Sequence, residues 1–252
     1  MEITEVKSLN KYLLNCYPIP IGIGSTATCY LTKDFRVLKV FRNTFNKIIR
    51  FERYGNFISH MGLVSEYQND SYVAPDEMLI KNGKCVAYLY PYVDGKTLHT
   101  IKRTTLLTEL FLENYDKLDS DTKEFSKSGL KFEDLHDKNI IYNKNYYMID
   151  LDATKLKDLP IDDLYEENMR TINRMITDSL FKEDDLMILT FYNQDIDKLY
   201  NKALYFEHEA IKDFIEALMI YYPNIDTVGG VKLNRHRYMR SKINEYKITE
   251  IF

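Results

Sequence analysis

The chain has 252 residues, of which 45% are hydrophobic and 29% are charged, a composition typical of a globular protein with a substantial core. A net charge of -4 gives no indication of a nucleic-acid partner. No apolar run is long enough to span a bilayer, so no membrane role is expected. The N-terminus lacks a signal-peptide layout, and Cys16, Cys29 and Cys85 fit no zinc pattern, which together favour a cytoplasmic protein.

The first ninety residues are predicted to be rich in strands. Apolar and β-branched runs predict strands over 19–22, 27–33, 35–41, 72–80 and 84–90. A glycine-rich turn follows the first of these, and Asn82-Gly83 is a strong hairpin signal between the last two. Helical spacing predicts one helix over 44–61, which Gly62 is expected to end.

The rest of the chain is predicted to be mainly helical. Periodic apolar residues predict helices over 104–127, 160–181, 183–204 and 207–222. One exception is a hairpin over 139–150 that turns at Asn143-Lys144-Asn145. The expected class is therefore α+β, with a strand-rich N-terminal lobe over 1–93 and a helical C-terminal lobe over 94–252.

Two features of the predicted N-terminal lobe suggest a phosphate site. Gly22 and Gly24, with Ser25, form a turn whose amides could bind phosphate oxygens, although such a turn is more often a plain hairpin. Lys39 is a lone cation in an apolar strand, and it is either an outward-facing lysine or the partner of an acid. Glu52, on the predicted helix, is the best placed acid for such an ion pair.

Three oxygen-bearing side chains suggest a magnesium site. Asn139 begins the predicted hairpin and Asp150 ends it, so these two residues are expected to lie side by side. Asp134 precedes Asn139 by five residues and would then face an acceptor hydroxyl.

The segments Asp134-Leu135-His136, Asn139-Ile140-Ile141 and Ile149-Asp150-Leu151-Asp152 resemble the catalytic loop and metal motif of the protein-kinase-like superfamily. The loop is most similar to that of aminoglycoside and choline kinases and small atypical bacterial kinases. The resemblance covers roughly residues 19–155. It implies a two-lobed kinase fold that uses ATP and Mg²⁺ to transfer the γ-phosphoryl group to a hydroxyl of a small molecule or a protein.

The resemblance also implies a role for each matching residue. Lys39 would contact the α- and β-phosphates and pair with Glu52, Asp134 would take the proton of the acceptor hydroxyl, and Asn139 and Asp150 would bind Mg²⁺. The remaining nucleotide contacts would come from Gly22, Gly24 and Ser25 over the phosphates, and from the Pro91 carbonyl and the Val93 amide at the adenine.

The chain departs from the superfamily pattern in places that leave its function open. Glu133 stands where many protein kinases have an arginine, so control by a phosphorylated loop is not expected. Asp152 replaces a glycine and is either an added metal ligand or a solvated side chain. The segment Thr154–Leu159 is too short for a usual peptide-docking region, which favours a small acceptor.

Three interpretations follow from the sequence. The chain is an active kinase, a pseudokinase that binds a nucleotide or a partner without transfer, or an unrelated α+β protein. The basic run from Lys232 to Lys242 is interpreted as a solvated face, or alternatively as a surface that attracts an acidic acceptor.

Overall fold

A computed structural model describes residues 1–42, 54–181, 193–222 and 225–231 of the chain. Glu52 and the basic run 232–242 therefore lie outside the described residues. So do parts of the helices predicted over 44–61 and 183–204.

A six-stranded sheet forms most of the N-terminal half. Its strands are β1 (Glu2–Glu5), β2 (Gly22–Ile23), β3 (Ala27–Leu31), β4 (Arg36–Phe41), β5 (Glu77–Lys81) and β6 (Lys84–Pro91). Their order across the sheet is β1-β5-β6-β4-β3-β2, and all pairs are antiparallel except β1 with β5. The sheet is accompanied by a short helix α1 (Asn10–Leu14) and by α2 (Tyr54–Glu66).

Side-chain alternation along the strands gives the sheet two different faces. Leu38 of β4 packs outward with Leu79 and Leu89, in a small cluster that also contains Val6 and Cys16 from the N-terminal segment. The opposite face continues into the main core of the protein, which includes residues of both halves. Lys39 follows Leu38 and therefore points to the inner face.

Helices dominate the C-terminal half. After the short strand β7 (Lys96–Thr97) and a 3₁₀ turn come a π-helical turn (Glu109–Glu113), α3 (Tyr115–Ser126), α4 (Ile161–Leu180), α5 (Gln194–Tyr205) and α6 (Ala210–Tyr221). Apolar side chains of α4 recur at helical spacing, and Leu164, Met169, Ile172 and Ile176 are fully buried.

Two small sheets lie between the helices and the large sheet. The hairpin of β9 (Ile140–Tyr142) and β10 (Tyr146–Met148) pairs with β7, and β8 (Leu130–Phe132) pairs with β11 (Thr154–Leu156). Strands β8 to β11 flank the predicted catalytic loop and metal motif, and so they set the positions of both.

A short segment before β5 joins the two halves of the molecule. The Met148 amide donates to the Ser71 carbonyl at 2.6 Å, and the Val73 amide donates to the Met148 carbonyl at 3.0 Å. Tyr72 between them is fully buried, and its hydroxyl lies 2.6 Å from that of Thr122 on α3. The hairpin, α3 and the large sheet are thereby fixed to one another.

The structure confirms the expected α+β class, with a sheet in the N-terminal lobe and helices in the C-terminal lobe. The prediction that Gly62 ends a helix was wrong, since α2 continues to Glu66. The strand predicted over 72–80 begins only at Glu77, because the residues before it bond to the hairpin instead. Strands β1, β8 and β11 were not predicted.

The helix predicted over 104–127 was too long at its start. The π-helical turn and α3 meet at Asn114, whose side-chain amide donates to the Glu109 carbonyl at 2.8 Å. This side-chain bond replaces a regular helical bond and accounts for the interruption.

Gly95 is required by the fold, and Gly62 is not. Gly95 has φ +149°, and an added Cβ would lie 2.6 Å from Ile141 Cγ2 and 2.8 Å from the Tyr142 carbonyl oxygen. We expect Gly95→Ala to lower the free energy of unfolding by about 1–3 kcal/mol. Gly62→Ala, at an exposed helical site with nothing near the new Cβ, should raise it by about 0.5–1 kcal/mol. Urea unfolding of both variants tests this; equal effects would contradict it.

His208 ties three helical elements together. It precedes α6, and its ring nitrogens lie 2.8 Å from Glu166 Oε1 of α4 and 2.9 Å from Asp119 Oδ1 of α3. Burial alone would lower the pKa of His208, but hydrogen bonds to these two carboxylates outweigh it and raise the pKa.

A raised pKa in the folded state makes the stability contribution of His208 depend on pH. The contribution is fully present below the unfolded pKa of about 6.5 and is lost as pH rises through the folded pKa. The stability difference between wild type and His208→Gln should therefore be larger at pH 6 than at pH 9 in urea unfolding. A pH-independent difference for His208→Gln would refute the assignment.

Candidate functional site

Lys39 lies at the centre of a buried ion cluster. It is only 5% exposed, its Nζ donates to Asp150 Oδ1, and it lies 3.1 Å from each carboxylate oxygen of Asp152. An outward-facing strand lysine is thereby excluded. The predicted pairing with Glu52 falls outside the described residues and stays a prediction, while the two aspartates are partners that the sequence reasoning did not assign to Lys39.

Burial and charge act in opposite directions on this cluster. Burial lowers the pKa of Lys39, but the negative charges of Asp152 and Asp150 outweigh it, so the net pKa is raised and the ammonium is retained. Burial raises the pKa of Asp152 to about 7 against the attraction of Lys39, and the neighbouring Asp150 adds to the increase. The pKa of Asp150 is lowered in spite of its burial, since Asp152 and Lys39 both stabilise its charged form. Asp152 is thus a buried cluster member and not a solvated side chain.

Asp150 has an unusual backbone conformation. Its φ of 63° and ψ of 49° lie in the left-handed region, which costs free energy for any residue other than glycine, although aspartate tolerates it better than most. The conformation turns the chain sharply after β10 and directs it into the 3₁₀ turn Leu151–Ala153. A strained residue held in place by its surroundings is a common property of functional sites.

The hairpin brings the two predicted metal ligands together. The Ile149 amide donates to the Asn139 carbonyl at 2.9 Å, so Asn139 and Asp150 occupy adjacent strand ends. Asn139 is only 9% exposed, and its backbone N–H donates to the His136 carbonyl at 2.8 Å. The expected proximity of the strand ends is therefore present in the fold.

Asp134 lies at the edge of a small concavity. It is exposed and follows the end of β8, where the ladder with β11 also ends. The walls of the concavity are formed by Phe132–Leu135 on one side and by Ile149–Leu151, Ala153 and Thr154 on the other. Asp134 and Asp150 therefore both line this concavity.

The glycine-rich turn forms the outer edge of the large sheet. The Gly24 amide donates to the Ala27 carbonyl at 2.9 Å, and Ser25 at the tip is exposed. An added Cβ would meet its nearest neighbour at 3.7 Å for Gly22 and at 3.6 Å for Gly24, which is ordinary contact. The fold alone does not demand glycine at these positions, which is consistent with a ligand that approaches the backbone closely.

The two predicted base-binding residues lie in the connector that follows β6. Pro91 ends this strand, is exposed and pairs in register with Arg36, while Val93 is half-buried against the main core. Before them lies Tyr90, which sequence reasoning missed. Its hydroxyl is buried and, among the described residues, has no hydrogen-bond partner. Only its position before the connector could have indicated it.

Two further contacts near the site were not predicted. His60 of α2 lies 2.8 Å from the Thr154 hydroxyl, which links this helix to the segment after the metal motif. Glu133 Oε2 accepts a hydrogen bond from Lys155 Nζ at 3.0 Å. Neither pair has a local sequence pattern, because both depend on how distant elements pack.

The donor groups suit a hard cation. Asn139 and Asp150 offer amide and carboxylate oxygens, the ligand types that Mg²⁺ prefers, and Mg²⁺ commonly completes its shell with phosphate oxygens and water. Within the part of the chain that the structure describes, no group of three or more His, Cys, Asp or Glu side chains could hold a metal by itself. Asn139 and Asp150 could hold Mg²⁺ together with phosphate oxygens and water.

Comparison with known proteins gives no sequence relative but a clear structural one. No protein-family profile and no curated protein sequence matches the chain. The crystal structure of the Mycobacterium tuberculosis PknI kinase domain matches with a TM-score of 0.55, over 79% of this chain and 93% of that one. The chain has a protein-kinase-like fold. At 12% identity the likeness concerns the fold alone.

The kinase-like fold argues against the third interpretation, that of an unrelated α+β protein. The described residues contain no helix that is both long and apolar enough to cross a membrane.

The ion cluster predicts a pH-dependent gain in stability. The folded pKa of Asp152, about 7, lies above its usual 3.8, so wild type loses stability as pH rises from 3.8 through 7. Asp152→Asn removes this cost and should raise the free energy of unfolding above pH 7. The gain should vanish near pH 4. The exposed Asp158→Asn is the control, and equal gains in urea unfolding at pH 8 for both variants would contradict the prediction.

Proposed function

We propose that the chain is an ATP- and magnesium-dependent kinase that transfers the γ-phosphoryl group to a hydroxyl acceptor. The observation that carries the proposal is that Asp150 of a protein-kinase-like fold pairs with Lys39 and also lines a concavity together with Asp134. Each lies on a different element, and each has the chemistry that phosphoryl transfer requires at that place.

The phosphate end of the cleft would be formed by Lys39 and the glycine-rich turn. Lys39 keeps its positive charge even though it is buried, so it can contact phosphate oxygens without first gaining a proton. A triphosphate would compete with Asp150 and Asp152 for the ammonium. Asp150 would then be released to bind Mg²⁺ together with Asn139, and the cation would offset the charge of the phosphates.

Asp134 would act on the acceptor. Its exposed carboxylate can accept a hydrogen bond from the acceptor hydroxyl, orient the oxygen toward the γ-phosphorus and take the proton as the new P–O bond forms. ADP leaves as the bond to the β-phosphate oxygen breaks. Phosphoryl transfer depends mainly on positioning and charge, which is what this cleft offers.

The adenine would lie against the connector between the proposed lobes, 1–93 and 94–252. The Pro91 carbonyl can accept a hydrogen bond even though proline lacks an amide, and the Val93 amide can donate one. Only six residues, Thr154–Leu159, separate the 3₁₀ turn from Pro160, the N-cap of α4. This short segment supports a small-molecule acceptor over a peptide, and we propose action in the cytoplasm.

One observation favours a pseudokinase as the second candidate. Lys39 is held by two carboxylates at once, so a nucleotide must displace both before Lys39 can reach a phosphate. If that exchange is too costly, the same fold would bind a nucleotide weakly or serve as a partner-binding module.

Thermal unfolding with and without magnesium-ATP tests nucleotide binding. A ligand at a hundred times its Kd stabilises the folded state by about 2.7 kcal/mol, so the midpoint should rise. The rise should require magnesium and should be reduced in Asp150→Ala but not in Asp158→Ala. No shift at millimolar magnesium-ATP would count against the kinase proposal.

Transfer itself is tested with labelled ATP and a panel of hydroxyl acceptors. Asp134→Ala should abolish transfer while it retains the magnesium-ATP stabilisation, because Asp134 faces the acceptor and not the nucleotide. Full activity in Asp134→Ala would show that the base has been assigned wrongly. Stabilisation of wild type without any transfer would favour the pseudokinase.

A further inference from the structure

Glu133, the residue before Asp134, is held by two lysines from the segment after the metal motif. Its Oε2 lies 3.0 Å from Lys155 Nζ, and its Oε1 lies 3.4 Å from Lys157 Nζ. Both carboxylate oxygens are therefore engaged. The hydrogen bonds to these lysines lower the pKa of Glu133, which keeps the side chain ionised.

Among the described residues, few backbone hydrogen bonds hold this stretch of the catalytic loop, in which Leu135 packs against the main core. The ladder between β8 and β11 runs from Leu130 to Phe132 and stops there. Within the described residues, the next backbone hydrogen bond of the loop is accepted by His136. Between these points the contact of Glu133 with the two lysines is the side-chain tie that joins the loop to the metal-motif segment.

The neighbouring charges leave Glu133 as the carboxylate that pairs with Lys155 and Lys157. Lys155 lies opposite Lys131 in the β8–β11 register, which by itself would be repulsive. Lys131 is paired instead with Glu167 of α4, at 2.6 Å. Glu133 is the carboxylate that neutralises Lys155 and Lys157.

We propose that Glu133 is a positioning residue that aligns Asp134 with Asp150 by tying the catalytic loop to Lys155 and Lys157, an inference that rests on the proposed kinase function. The tie consists of fixed charges that are partly open to solvent, so it responds to ionic strength and needs no covalent modification. Asp134 remains the residue that contacts the acceptor.

Charge reversal tests the proposal. Turnover of magnesium-ATP is measured, with water as the acceptor, for Glu133→Gln, Glu133→Lys and the triple variant Glu133→Lys, Lys155→Glu, Lys157→Glu. Glu133→Gln should lower kcat about three- to tenfold with an unchanged KM for ATP, and Glu133→Lys should lower it further. The triple variant should return to within about twofold of wild type. Lys127→Glu, which breaks the exposed pair with Glu124 on α3, should have no effect.

Salt dependence gives a second readout that a purely structural role would not produce. The kcat of wild type should fall as salt increases, because screening weakens the pair, whereas Glu133→Gln should be insensitive. Unchanged kcat in Glu133→Gln, or equal salt dependence in both proteins, would overturn the proposal even if the triple variant failed to fold.

Failure of the proposed function can be told apart from failure of this inference. If wild type gains stability from magnesium-ATP but shows neither turnover with water nor transfer to any hydroxyl acceptor of the panel, the kinase proposal fails. Hydrogen exchange of the amides in 132–139 then tests the positioning role. If these amides exchange faster in Glu133→Gln than in wild type, and at the wild-type rate in the triple variant, the positioning role of Glu133 is supported. Unchanged exchange would overturn it.

Discussion

The buried ion cluster of Lys39, Asp150 and Asp152 is the interaction on which the arrangement of the cleft depends. A lone buried ammonium would be too costly, and two adjacent carboxylates, that of Asp152 largely buried and that of Asp150 partly exposed, would repel each other, but together the three charges compensate one another. Because Lys39 belongs to the large sheet and the aspartates follow the β9–β10 hairpin, their attraction draws the two halves of the molecule together at the cleft.

A second connection between the two halves is made of uncharged hydrogen bonds. The backbone bonds of Ser71 and Val73 to Met148 fix the base of the hairpin, and the buried Tyr72 secures the same segment to α3. The open end of the hairpin is thus held twice, by the hydrogen bonds of Met148 and by the ion pairs of Asp150 and Asp152 just after it. Asp150 can remain in a left-handed conformation because its neighbours before and after are constrained.

Local patterns were sufficient to predict much of the fold and the cleft. Alternating apolar residues and the Asn82-Gly83 turn indicated the β5–β6 hairpin, and the turn at 143–145 correctly implied that Asn139 and Asp150 would meet. Contacts between distant segments had no such signal. The sequence around Tyr72 predicts a strand and gives no sign of its hydrogen bond to Thr122. Likewise, nothing near Lys39 in the sequence indicates its two aspartate partners, which are more than a hundred residues away.

Around Asp150, residues that suit the chemistry of the cleft also reduce the stability of the folded protein. Two features of this region lower the free energy of unfolding: the left-handed backbone of Asp150 and the charged form of Asp152, whose pKa is raised to about 7. In a laboratory selection for thermal stability alone, substitutions of Asp152 would be enriched early, and the cleft would lose one of its carboxylates. Retention of Asp152 among natural variants of this chain would therefore be a sign of selection for what the cleft does.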